Sequence, residues 1–117
     1  MMIEQDALDF SQFFQCDPIL LDENVPFFYN EAVYDFINEV DERFSVRLQP
    51  SSQDLKIEVF TGEERMAYLD FTGDFSLEIL SSQKDFSKLR IKNSTGSAII
   101  HFRPKFKLFI DVYFPDK

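Results

Sequence analysis

A chain of 117 residues suits one domain, taken as 1–117, with a single core. Apolar residues at 44 % against 28 % charged exclude a disordered polyelectrolyte, and no run approaches the roughly 18 apolar residues that a membrane helix needs. The net charge of −9 disfavours phosphate backbones as ligands, so no nucleic acid is expected to bind directly.

The opening stretch "MMIEQDALDF" has neither the basic residue nor the apolar run of a secretory signal. Next, Ala7, Phe10, Phe13 and Phe14 fall near helical spacing, which allows a short helix from about Asp6 to Gln15. Asp17-Pro18 ends it, because proline disfavours the helical conformation in the residue before it. After the loop "LDENVP", the main helix is expected from about Glu31 to Arg43 with Asn30 as its N-cap. Val33, Phe36, Ile37 and Val40 stand at i, i+3, i+4 and i+7, with Glu31, Asp35, Glu39 and Glu42 opposite them.

From Phe44 the period becomes 2. "FSVRL", "LKIEVF", "FSLEI" and "KLRIK" alternate apolar with polar residues. "FKLFIDVYF" places Phe106, Leu108, Ile110, Val112 and Phe114 on one face. Two further strands, about 65–71 and 97–103, alternate less cleanly. The three glycines follow threonine, at Thr61-Gly62, Thr72-Gly73 and Thr95-Gly96, each where one run stops and the next begins. Glycine reaches positive φ without steric cost, so the repeated Phe-Thr-Gly-acid phrase reads as the pitch of a meander and not as a binding motif.

The expected fold is α+β: an amphipathic helix at about 31–43, with a short helix before it, packed on a curved antiparallel meander sheet of six or seven strands. A closed barrel is the alternative.

Catalytic chemistry has few candidates. His101 and Cys16 are each alone in their type, whereas a structural zinc site wants about four nitrogen or sulfur ligands. Three isolated glycines cannot form a phosphate-cradling loop, and no calcium-loop spacing occurs. The adjacent pairs Asp22-Glu23, Asp41-Glu42 and Glu63-Glu64 do not show the convergence that acid–base work requires. No catalytic residue, metal site or cofactor is assigned, and the protein is read as a non-enzyme. A single cysteine favours a reducing compartment, and a cytoplasmic location is expected.

Charge is distributed unevenly. Residues 1–42 hold eleven acids and no lysine or arginine; residues 43–117 hold ten acids and twelve bases. The acidic segment can pack on the basic strands of its own chain, or simply be solvated. A nucleic-acid face on the strands between Lys84 and Lys107 would need aromatics among the bases, and none are expected on their polar side. The third reading is a docking surface for a basic protein, with Asp22, Glu23, Asp35, Glu39 and Glu42 as an acidic rim around Phe27, Phe28 and Tyr29. The same aromatics also fit a hydrophobic staple at a helix entry.

The base-free segment 1–42, the expected 31–43 helix and the Thr-Gly meander together resemble the immunity proteins of bacterial polymorphic-toxin and contact-dependent growth inhibition systems. The likeness covers the whole chain as a profile, without a family motif. It implies a cytoplasmic inhibitor that caps a cognate toxin domain, often a nuclease with a basic cleft, in a tight one-to-one complex. Two alternatives stand beside it. One is a carrier of a small apolar ligand in a cavity lined by some of the 15 phenylalanines. The other is a homo-oligomer subunit that sets acidic segment against basic strands; monomer or homodimer is left undecided.

Overall fold

The structure is a computed structural model and describes residues 5–112. One helix, α1 (Ala7–Phe14), precedes nine strands: β1 (Ile19–Leu20), β2 (Ala32–Ile37), β3 (Glu42–Gln49), β4 (Asp54–Thr61), β5 (Glu64–Thr72), β6 (Ser76–Gln83), β7 (Phe86–Asn93), β8 (Gly96–Arg103) and β9 (Lys107–Val112). They form two antiparallel meanders, ordered β1-β2-β3-β4-β5 and β6-β7-β8-β9.

Period-2 patterning explains the pairing. Phe44, Val46 and Leu48 of β3 stand opposite Val59, Ile57 and Leu55 of β4, and all six are buried. A slip of one residue would turn the whole set to solvent, so burial of one face holds the register. The second sheet turns Phe75, Leu77, Leu89, Ile91, Ala98, Ile100 and Phe102 inward in the same way.

Helix α1 closes the side of the molecule where β2 and β6 lie. Asp6 starts it through a reciprocal capping box: its carboxylate accepts the Asp9 N–H at 3.0 Å, while the Asp6 N–H donates to the Asp9 carboxylate at 3.0 Å. Gln15 ends it in the left-handed region at φ 60. Phe10, Phe13 and Phe14 share one stripe and are all buried. Phe14 meets Phe36 at 5.2 Å, Tyr34 at 5.0 Å and Phe102 at 5.4 Å between ring centroids, and thereby joins the two sheets. Each buried ring contributes on the order of 2–3 kcal/mol.

The α+β class and the helix packed on antiparallel strands are as the sequence indicates, and the short helix lies where it is expected. The main helix is a correction. Residues 31–43 form β2, a tight turn and the start of β3. Val33, Phe36, Ile37 and Val40 fit helical spacing, but Ala32, Tyr34 and Phe36 fit period 2 equally, and those three are the buried ones. A segment rich in β-branched and aromatic residues favours the strand once a partner is present. Asn38 then turns the chain: its side-chain oxygen accepts the N–H groups of Val40 and Glu42, and Asp41 takes φ 62. Asn30 is not the N-cap of a helix but the C-cap of a short 3-10 turn, and Arg43 lies in β3 with its guanidinium over the Phe60 ring at 4.3 Å.

The strand count and the single curved sheet are likewise corrected, to nine strands in two sheets with no closed barrel. Thr61-Gly62 and Thr95-Gly96 lie at hairpins, but Thr72-Gly73 marks the passage from one sheet to the other. The expected extension of the last strand to Phe114 lies outside the described residues.

Candidate docking surface

Residues 21–30 form an ordered loop because one buried side chain collects its free backbone groups. The Asn30 amide donates to the carbonyls of Asp22 at 2.6 Å and Val25 at 2.9 Å. Its oxygen accepts the N–H groups of Asp22 and Glu31. Asp22 adds a local turn by accepting the Asn24 N–H at 3.0 Å. Such a loop keeps its shape with little ordering left for an encounter to impose.

Asn30 sends the three aromatics in different directions. Phe27 turns inward against Phe10, at 6.1 Å, and is part of the core rather than the surface. Phe28 and Tyr29, in a short 3-10 turn over Phe27–Tyr29, face solvent as an edge-on pair 5.0 Å apart, Tyr29 being 69 % exposed. Asp22 and Glu23 are exposed beside them. Sequence reasoning missed two apolar neighbours, Leu21 at 76 % and Ile19 at 67 % exposure. Their signal was a short apolar run, "ILL", between two turn-forming stretches.

The other predicted acids are separated from this loop. Asp35 is exposed on the outer face of β2. Glu39 lies in the turn at the far end of β2, and the five residue steps from Ala32 to Ile37 span roughly 17 Å. Glu39 pairs with the buried Arg103 guanidinium at 2.8 Å. Glu42 is itself buried, accepting from the Asn38 amide and from the Phe106 N–H, both at 2.8 Å. These two acids serve the fold: the acidic segment does pack on the basic half of its own chain, at this end of the molecule. The eight predicted residues are therefore not one surface. Asp22, Glu23, Phe28 and Tyr29 stay together; Asp35 is apart, and Phe27, Glu39 and Glu42 are engaged elsewhere.

A second surface corrects the expectation that the basic strands lack aromatics. On the outer face of the four-stranded sheet, Lys88, His101 and Lys107 stand in one cross-strand row. The His101 ring meets Phe86 at 5.8 Å and Phe109 at 5.6 Å, both edge-on. Arg90 pairs with Glu78, and Lys92 is exposed. Partial burial lowers the His101 pKa, and the ammonium groups of Lys88 and Lys107 lower it further. The period-2 alternation of Phe86, Lys88, Arg90 and Lys92 carried this signal in the sequence.

Cys16 is half-buried, and its thiol pKa is raised by burial and then by the nearby Asp35. Among the described residues, no group of three or more His, Cys, Asp or Glu is placed to hold a metal ion, and no helix is long and apolar enough to cross a membrane. The rings of Phe14, Phe36, Phe44 and Phe102 pack together where the two sheets meet. An apolar recess of about 240 Å³ opens to solvent beside β9, lined in part by Phe71, Ile91, Ala98, Ile110 and Val112.

Comparison of the chain with family models, with curated proteins and with solved structures finds no match.

Proposed function

We propose that this chain is a non-enzymatic protein-binding module, a cytoplasmic inhibitor that captures a basic protein as immunity proteins capture toxin domains. The observation that carries the reading is the Asn30-braced loop, in which exposed Leu21, Phe28 and Tyr29 lie with Asp22 and Glu23. Rigid aromatic anchors within an acidic rim supply contact area, while the acids speed encounter with a positive partner and reject negative ones. The docking set is Asp22, Glu23, Phe28 and Tyr29, with Leu21 added; a basic cleft such as that of a nuclease domain fits its charge.

The test is capture of a basic protein from native lysate, followed by assay of the purified captured protein with and without this chain. The reading expects one basic species, retained less well at high salt. Its activity is suppressed at one-to-one stoichiometry, and both effects are lost with Asp22→Lys/Glu23→Lys or Tyr29→Ala. Capture of no protein, unchanged activity, or insensitivity to these substitutions overturns it.

A second reading rests on the aromatic and basic outer face of β7–β9. Stacking platforms among cations suit a single-stranded nucleic acid. Binding of a labelled oligonucleotide at low salt, lost with Phe109→Ala and Lys88→Ala, would support this face over the loop as the functional one.

A further inference from the structure

We propose that the chain forms a two-fold dimer through antiparallel pairing of its β9 strands, making one continuous eight-stranded sheet. Among the described residues β9 is hydrogen-bonded to β8 on one side only, so its other edge presents a row of backbone donors and acceptors. β6 lies against α1, β1 has two residues, and β5 carries a bulge near its start, although its pairing with β4 is regular from Val59↔Ala67 to Asp54↔Thr72. β9 carries none of these devices. Its register with β8 is unbroken from Gly96↔Val112 to His101↔Lys107, and "KLFIDV" contains no proline. Phe109, Ile110 and Val112 are 57 %, 59 % and 52 % exposed.

The occupant is a second copy because the strand complements itself. With the two-fold axis through Phe109, Lys107 lies opposite Asp111 of the second copy, and Asp111 opposite its Lys107. Leu108 lies opposite Ile110, and Phe109 opposite Phe109. Odd positions share the outer face with Ile99 and His101, and even positions the inner face with Ala98 and Ile100. Every pair in this register is thus matched both in face and in character. A shift of one residue sets outer side chains opposite inner ones, and a shift of two moves Lys107 opposite Phe109. The dimer also continues the inner face past Ile110 and Val112, which border the recess beside Phe71 and Ile91. It leaves the 21–30 loop free, since that loop belongs to the other sheet and β9 is the edge away from α1.

The test is sedimentation of the full chain over a concentration series, with thermal midpoints as folding controls. The mass is expected to rise to twice the 13.8 kDa of one chain. Lys107→Asp alone or Asp111→Lys alone sets two pairs of like charges face to face and weakens dimerisation by about tenfold or more. The double variant Lys107→Asp/Asp111→Lys restores the opposite-charge pairs and the wild-type affinity. Phe109→Lys, which sets two cations on the axis, leaves a folded monomer. A monomer at every concentration overturns the proposal, as does a dimer that ignores the single substitutions or is not restored by the double one.

Discussion

Arg103, the last residue of β8, holds Glu39 of the β2–β3 turn at 2.8 Å and donates to the Phe14 carbonyl at 3.2 Å. One guanidinium thus joins both sheets to the end of the helix, using a carbonyl that α1 leaves without a partner. Its burial makes the two halves of the pair unequal. Arg103→Met should cost about 2–3 kcal/mol, because it removes charge-assisted bonds inside the protein. Glu39→Gln should cost about 1 kcal/mol, its side chain being more exposed. Urea titration of both variants measures the asymmetry; equal small losses would show that the contact contributes little. Glu39→Lys and Glu42→Lys act mainly on folding and are poor probes of docking.

The buried Tyr34 hydroxyl makes no hydrogen bond of regular geometry among the described residues; burial raises its pKa well above the ordinary tyrosine range, and the nearby Ser11 side chain offsets only part of that rise. Removing an unsatisfied polar group while keeping the ring should help the fold. Tyr34→Phe is expected to leave stability unchanged or raise it by about 1 kcal/mol, measured by thermal or urea unfolding. A loss of similar size would reveal a hydrogen bond to that hydroxyl.

The glycines at 73 and 96 should fail for different reasons. A Cβ at Gly73 meets nothing within 4 Å, but the residue holds φ 98, which L side chains rarely adopt. Gly73→Ala is expected to cost about 1–2 kcal/mol, through the backbone alone. At Gly96 a Cβ would overlap the Asp111 carbonyl and lie 2.9 Å from Val112 Cα. Gly96→Ala should therefore displace β9 at a cost of about 1–3 kcal/mol. Hydrogen exchange separates the two: only the change at 96 should speed exchange of the β9 amides.

His101 predicts a pH dependence. Its pKa is lowered in the folded state by burial, Lys88 and Lys107, so the unfolded chain takes the proton first as pH falls. Stability from this site is complete above the ordinary histidine pKa, and is lost as pH falls toward and through the depressed folded value. Relative to His101→Gln, the wild type should lose stability between about pH 7 and pH 5. Parallel urea midpoints for the two proteins across that range would contradict it.

Much of the architecture could be read locally. The runs from Phe44 to Val112 alternate because each strand buries one face, and that is a property of a few consecutive residues. Helix α1 announces itself through the 10, 13, 14 stripe, an acidic start and the Asp17-Pro18 stop. Nothing local decides between helix and strand over 31–43, where both periods are satisfied. Pairing with β3 turns Ala32, Tyr34 and Phe36 inward, and the aromatic stripe of α1 meets the last two of them.

The surfaces divide in the same way. The order of residues alone determined that an acidic segment precedes a basic one, and that Phe86 shares its alternate positions with Lys88, Arg90 and Lys92. Only the tertiary structure decided which acids remain on the surface. Glu39 and Glu42 are drawn inward by Arg103 and the Phe106 N–H, residues about 64 positions away. Asp22 and Glu23 stay exposed because Asn30 braces their loop from beneath. A side chain's charge is written in the sequence, but the partner that engages it is set by contacts between distant parts of the chain.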